Sequence, residues 1–166
     1  MEFNIADLFE SLVDAVGERT AVVCGDRRLT YRELEKRANR LANSLRARGV
    51  KAGDHVGLYL HNSTEFLEGM LAAFKLRAVP ININYRYVGD ELSYLFKNAN
   101  LVALIHQREF CPHVGSVKGS VPGLATCIAV DDGSGADLDG AGAELYDDVI
   151  ASASEAVSYT HLTLPT

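Results

Sequence analysis

Apolar residues in the first fifty positions recur at the spacing of amphipathic helices. They lie three or four positions apart over residues 3–16, and again over residues 30–49. Thr30, followed three positions later by Glu33, has the pattern of a reciprocal N-terminal cap, and the glycine at position 49 is a typical helix end. A Gly-Asp pair between the helices separates two short strands at 21–24 and 27–29. The pattern therefore predicts a helix, a β-hairpin and a second helix.

From Gly53 onward, short and continuously apolar runs alternate with amphipathic segments. Such runs are typical of parallel strands buried on both faces and joined by crossover helices. The predicted strands are 56–60, 79–83, 101–105 and 126–130. The predicted helices are 65–77, 90–98, 109–118 and 145–153. The predicted fold class is α/β, an open and mostly parallel sheet with helices on both faces.

The helical spacing also predicts core residues, namely Leu34, Leu41, Leu45, Met70 and Phe74. Residues 131–142 form a low-complexity stretch of Asp, Gly, Ser and Ala, which is typical of a loop. A phosphate-binding loop would combine its glycines with a Lys or Ser/Thr at a strand-to-helix turn. This stretch has no Lys and contains several carboxylates, so we interpret it as a linker.

Length and composition exclude several classes of protein. With 166 residues, 48% of them hydrophobic, the chain is long enough to form one domain with a substantial core. A net charge of -6 does not favour nucleic acid as a partner, because phosphate binding requires a basic face. Three cysteines without paired spacing argue against a disulfide framework and for a reducing, cytoplasmic location. No run of eighteen apolar residues occurs, so no transmembrane segment is expected.

Polar side chains follow the predicted strands directly. Ligands of open α/β sheets bind beyond the carboxyl ends of the strands, so such residues are candidates to line a substrate crevice. The candidates are His61, Asn84 and His106. The alternative interpretation is that each residue only ends its strand. Asn62, with Glu65 three positions later, is better explained as the cap of the next helix.

No metal site and no catalytic residue are predicted. His106, Cys111 and His113 have the right chemistry for zinc, but a zinc site needs four ligands at paired spacings. Ser63 lies near His61 without the glycine pattern of a nucleophile elbow, so a hydrolase is not supported.

Two segments resemble the first two sequence motifs of the adenylate-forming (AMP-binding) acyl-CoA synthetases. They are Leu-Thr-Tyr-Arg-Glu-Leu at 29–34 and Ala-Val-Pro-Ile-Asn-Ile-Asn-Tyr-Arg at 78–86. The order of elements over residues 1 to about 150 also resembles the N-terminal subdomain of that superfamily. Residues 80–87, together with Glu-Leu-Ser-Tyr-Leu at 91–95, are more similar to bacterial fatty-acyl and related CoA ligases than to peptide-synthetase adenylation domains.

The resemblance implies a parent enzyme that joins a small-molecule carboxylate to ATP with Mg²⁺, releases pyrophosphate and transfers the acyl group to CoA. In the family, the phosphate loop, the magnesium-binding glutamate, the ribose-binding aspartate and the catalytic lysine all lie downstream of this region. We therefore expect a truncated N-terminal fragment that is inactive alone and holds no cofactor. Exposed sheet edges would also favour self-association into homo-oligomers.

Both the C-terminal end of the domain and the function have an alternative interpretation. Residues 1–155 are interpreted as the N-terminal part of the AMP-binding domain. Residues 156–166 are uncharged and resemble translated adapter sequence, so we expect a non-native, poorly packed tail, with a native C-terminal strand as the alternative. The alternative function is an autonomous α/β ligand-binding or interaction module without catalysis.

Overall fold

The computed structural model describes residues 4–156, which begin with two helices and a hairpin. Helix α1 (Ile5–Val16) is capped by Asn4, whose side chain accepts a hydrogen bond from the Ala6 amide at 2.8 Å. Strands β1 (Thr20–Cys24) and β2 (Arg27–Thr30) pair antiparallel and lead into helix α2 (Tyr31–Ala47). The predicted helix, hairpin and helix are therefore confirmed.

Both predicted ends of α2 are confirmed. The Thr30 hydroxyl accepts from the Glu33 amide at 3.2 Å, and the Glu33 carboxylate accepts from the Thr30 amide at 2.8 Å. These two bonds satisfy amide groups that have no partner inside the helix. Gly49, just past the helix, has φ +93°, a left-handed conformation that glycine adopts without steric cost.

Five strands form one parallel sheet, as the continuous apolar runs predict. The strands are β3 (His55–Tyr59), β4 (Val79–Asn82), β5 (Leu101–Gln107), β6 (Thr126–Val130) and β7 (Ala143–Leu145). Their order across the sheet is β4-β3-β5-β6-β7, and every neighbouring pair is parallel. The sheet belongs to the predicted α/β class.

Helices cover both faces of the sheet. Besides α1 and α2, the helices are α3 (Thr64–Lys75), α4 (Asp90–Asn98), α5 (Cys111–Lys118) and α6 (Tyr146–Ala151). On one face, residues of α2, α3 and α6 pack with Leu58, Ile105 and Ile128. On the other face, residues of α4 and α5 pack with Tyr59 and Leu104. Strand residues thus alternate between two hydrophobic cores, and the predicted two-sided architecture is confirmed.

The structure corrects four details of the sequence interpretation. Residues 143–145 form β7 and shorten the predicted helix 145–153, because pairing with β6 satisfies their main chain. A 3₁₀ turn (Arg108–Phe110) precedes α5, which has Pro112 in its first turn. Ser63, not Asn62, caps α3, since the Ser63 hydroxyl accepts from the Phe66 amide at 3.3 Å.

The fourth correction concerns the predicted core. Leu34, Leu41 and Leu45 are buried as expected, whereas Met70 and Phe74 are only partly buried. Met70 still packs against the core that α3 shares with α2 and α6, beside the buried alanines at 72 and 73.

Except for Ala156, the expectation of a poorly packed tail falls on residues 157–166, which lie outside the described part of the chain. Within residues 4–156, no helix combines the length and apolar character needed to cross a membrane.

Candidate functional site

The strand order creates a crevice at the carboxyl ends of β3 and β5. These strands are neighbours, but the chain continues from β3 to β4 on one side and from β5 to β6 on the other. Loops that diverge from neighbouring parallel strands leave space between them, and ligands of open α/β sheets bind at this switch point. The site is therefore built from the residues that follow these strands.

His61 follows β3, and its side chain reaches across the switch point to the turn after β5. Its Nε2 lies 3.0 Å from Oε1 of Glu109, a residue of the turn that follows β5. The imidazole ring also lies 4.6 Å from the ring of Tyr85 and 5.4 Å from that of Phe110, measured between centroids. Glu109 is itself held in place, because its amide donates to the Asp132 carboxylate at 2.8 Å. A histidine oriented by a carboxylate and still exposed to solvent can exchange a proton or a hydrogen bond with a ligand.

Asn84 follows β4 and lines a groove of about 410 Å³ beside His61. Its side-chain oxygen accepts from the Arg86 amide at 3.0 Å, a local bond that shapes the turn. The rest of the groove is uncharged and mixes amide groups with apolar and aromatic side chains. These lining residues are Leu60, Asn62, Phe66, Asn82, Ile83, Tyr85, Tyr87 and Leu95.

His106 lies apart from the other two candidates. It belongs to β5 and is fully buried on the sheet. Its Nδ1 bonds the Gln107 carbonyl at 2.8 Å, and its Nε2 has no hydrogen-bond partner among the described residues. Burial lowers the pKa of His106 to about 4, so the ring is neutral at pH 7. Asn84 therefore lines the groove and His61 adjoins it through the Tyr85 ring, whereas His106 is buried in the sheet.

Aromatic packing holds the walls of the crevice together. The rings of Tyr59 and Phe110 stack with centroids 4.4 Å apart. The Tyr59 hydroxyl donates to the Tyr87 carbonyl at 2.6 Å, and burial raises the pKa of Tyr59 to about 12. These contacts join β3 to the loops that follow β4 and β5. Sequence reasoning missed Tyr85, Glu109 and Phe110, because the predicted helix 109–118 gave the last two no special role.

Neither a metal cluster nor an open phosphate loop is formed by the residues considered as candidates in the described part of the chain. Within residues 4–156, no three His, Cys, Asp or Glu side chains converge on a metal position. In the glycine-rich stretch, the amides of Gly133, Ser134 and Asp139 already donate to aspartate side chains two residues earlier. Carboxylates on these amides would repel a phosphate, which agrees with the interpretation of this stretch as a linker.

An open parallel sheet with helices on both faces and a switch point between β3 and β5 places the chain in the doubly wound α/β class. Residues 9–159 match the family described as AMP-binding enzyme. The chain belongs to this AMP-binding enzyme family, and the resemblance seen in the motifs is confirmed.

Several of its relatives are CoA ligases. The chain is 47% identical over 154 residues to the 3-oxocholest-4-en-26-oate–CoA ligase of Rhodococcus rhodochrous, covering 93% of this chain and 28% of that ligase. It is 46% identical over 153 residues to a medium/long-chain-fatty-acid–CoA/3-oxocholest-4-en-26-oate–CoA ligase of Mycobacterium marinum, covering 92% and 28%. The chain thus spans little more than a quarter of the length of these curated relatives.

Solved structures share the fold. An anthranilate CoA ligase in complex with anthranoyl-AMP superposes with a TM-score of 0.85 and 25% identity, covering 95% of this chain and 29% of that one. The N-terminal domain of FACL13 from Mycobacterium tuberculosis gives a TM-score of 0.80 and 25% identity, covering 96% and 38%.

Proposed function

We propose that this chain is the N-terminal part of an ATP-dependent acyl-CoA synthetase. The observation that carries this proposal is the 47% identity over 154 residues to a CoA ligase. The parent enzyme would convert a carboxylate, ATP and CoA into acyl-CoA, AMP and pyrophosphate, with Mg²⁺, in the cytoplasm. The ligase names of the relatives point to a carboxylate with a large apolar body, such as a fatty or steroid acid.

In this proposal, residues 1–155 supply a scaffold and one wall of the crevice, and residues 156–166 are a non-native tail. His61 and Asn84 are positioned to contact a bound ligand, whereas His106 supports the strand behind them. Adenylation requires cationic and metal stabilisation of the transferring phosphoryl group. Because the described residues converge on no such set, the isolated chain is proposed to be inactive.

A chimera tests the proposal. Residues 1–155 replace the matching region of the Rhodococcus ligase, and pyrophosphate exchange into ATP is measured with 3-oxocholest-4-en-26-oate. We expect exchange in the chimera and none in the isolated chain. A folded chimera without exchange would contradict the ligase proposal, and exchange by the isolated chain would contradict its inactivity.

The second candidate is an autonomous ligand-binding module. It is favoured by the two hydrophobic cores, whose buried members all come from residues 4–156. Calorimetric titration of the isolated chain with ATP separates the two candidates. Saturable binding in the micromolar range would support the module, with His61→Ala and Asn84→Ala as the variants expected to weaken it. If the titration gives only the heat of dilution, this result would support the ligase fragment.

A further inference from the structure

One exposed aromatic surface lies beside the crevice. We call it the tyrosine face, formed by Tyr85, Tyr87, Val88, Tyr94 and Leu95. The side chains of Tyr85, Val88 and Tyr94 are 41%, 46% and 71% exposed. The groove of about 410 Å³ beside Asn84 and a second one of about 470 Å³ along α4 share Tyr87 and Leu95, so the surface is continuous.

The composition of the tyrosine face is that of an interface. Tyrosine is enriched in the buried centres of protein interfaces, because its ring offers a large contact area and its hydroxyl a hydrogen bond. Exposed side chains of this size and contiguity mark contact surfaces more often than scattered apolar residues do.

The neighbouring sheet edge, strand β4, does not favour pairing with another strand. The Val79 amide donates to the carbonyl of Asp54, just before β3, at 2.8 Å, and the Ile83 amide donates to the β3 carbonyl of Leu58 at 3.0 Å. The backbone groups of the alternate residues of β4 therefore face away from β3, toward the open edge. Pro80 occupies one of these positions and has no amide hydrogen. A partner on this side would contact the chain through side chains rather than by adding a strand.

The length of the relatives suggests what covers the tyrosine face. The chain spans 28% of the Rhodococcus ligase, so most of that protein has no counterpart here. Asn84 lines the groove of about 410 Å³, and Tyr85 belongs to both this groove and the tyrosine face, so a segment that closes the groove must approach this face. Another exposed apolar stripe, Ile5, Leu8 and Leu12 on α1, begins before the family match at residue 9.

We infer that the tyrosine face is the surface on which the remaining part of the ligase packs, closing the substrate crevice between the two parts. This inference rests on the proposed function. In the complete ligase, side chains of the remaining part would pack over the loop after β4 and over α4, while the apolar stripe on α1 would stay exposed.

Cysteine accessibility tests the inference. In a Cys24→Ser background, which removes the exposed native thiol, single variants Val88→Cys and Tyr94→Cys report on the tyrosine face. Leu8→Cys and Leu12→Cys are the matched controls on α1. Each is labelled with an uncharged maleimide in the isolated chain and in the chimera described above.

We expect labelling at positions 88 and 94 to slow by at least about tenfold in the chimera, because a covered thiol reacts only after opening. Labelling at positions 8 and 12 should not change. Equal labelling at 88 and 94 in both proteins would overturn the inference, as would protection at 8 and 12 instead. Protection in the isolated chain that increases with its concentration would overturn it in favour of a second copy.

The outcome is separable from that of the proposed function. Pyrophosphate exchange is measured on the same chimera, so protection without exchange contradicts only the ligase proposal, and exchange without protection contradicts only the inference. If the chimera does not fold, cysteines at the aligned positions of the full-length Rhodococcus ligase give the same readout. Fast labelling there at the positions aligned with 88 and 94 would also overturn the inference.

Discussion

Glu68 is a fully buried carboxylate whose two oxygens are both hydrogen bonded. Arg37 Nε donates to Oε1 at 2.7 Å, and the Tyr146 hydroxyl donates to Oε2 at 2.5 Å. Burial raises the pKa of Tyr146 well above its usual value, so the hydroxyl remains a donor. A buried charge is tolerated only when its partners replace the lost water. This cluster joins α2, α3 and α6 through three side chains.

Tyr146→Phe should destabilise the fold, because it leaves one buried carboxylate oxygen without its donor. Hydrogen bonds to charged groups contribute about 1.5–3 kcal/mol, and we expect a loss of this size in the free energy of unfolding by urea. Tyr94→Phe is the matched control, since Tyr94 is mostly exposed and should change stability by less than about 0.5 kcal/mol. Equal effects of the two variants would contradict the importance of the Glu68 contact.

His106 should make stability depend on pH. Burial lowers its pKa from 6.5 to about 4, so the unfolded chain binds a proton that the folded chain does not between these values. Stability therefore rises with pH across this window and is lost as pH falls through it. From pH 7 to pH 5, the loss due to this residue should be about 2 kcal/mol.

His106→Gln removes this titration, and comparison of urea unfolding at pH 7 and pH 5 checks it. The variant should lose less stability than the wild type over this interval, by about 2 kcal/mol. Identical pH dependence of the two proteins would show that folding does not change the pKa of His106. The difference between variant and wild type removes the contribution of the carboxylates, which both proteins share.

At the scale of elements, the Thr30 cap separates the hairpin from α2. Thr30→Ala removes the acceptor of the Glu33 amide, and such changes cost about 1 kcal/mol. Thr30→Ser keeps the oxygen and is the matched control, with a smaller expected effect. Thermal unfolding followed by circular dichroism measures both. A Thr30→Ser variant as unstable as Thr30→Ala would mean that the methyl group matters more than the cap.

Gly57 lies where the sheet has no room for a side chain. A Cβ at this position would stand 2.8 Å from Leu104 Cδ1 and 2.9 Å from Ile83 Cδ1. Overpacking of a core typically costs about 1–3 kcal/mol, so we expect Gly57→Ala to destabilise by this amount in urea unfolding. Gly119→Ala is the control, since nothing lies within 4 Å of a Cβ there. If both variants unfold at the same urea concentration, the side chains around Gly57 can move aside.

The elements that sequence predicted best are those with strong periodicity. Helix α2 has seventeen residues, two capping signals and an unbroken apolar stripe, so its prediction depended on many positions. Strand β7 has three residues, too few for an alternating pattern, and it forms because its main chain pairs with β6. Local pattern cannot reveal pairing between residues distant in sequence.

The candidate site, like the fold, could be predicted from the sequence only in part. Parallel strand order predicted that polar residues after the strands would meet at one edge of the sheet. It could not predict the pairing of His61 with Glu109, because this pairing depends on where the turn after β5 begins. Burial of His106 was likewise not visible, since its strand extends two residues beyond the predicted end at 105.

At the scale of the whole molecule, both edges of the sheet are short. Strand β7 has three residues, and β4 has four with Pro80 facing outward. Short edges and outward prolines hinder edge-to-edge pairing of sheets. Self-association of the isolated chain stays a prediction, and the short sheet edges argue against edge-to-edge pairing as its route.

The two cores on opposite faces should unfold as one unit, because they share the strands between them. Ile83 and Ile128 are buried and belong to different cores. Ile83 directly follows β4 and Ile128 lies in β6, and these strands are three strand spacings or about 14 Å apart. Ile83→Val and Ile128→Val should each cost about 0.5–1.5 kcal/mol. At this separation their effects should add to within about 0.5 kcal/mol in the double variant, with an unchanged dependence on urea. A second transition in the double variant, or a strongly non-additive loss, would show that the faces unfold separately and that the sheet does not couple them.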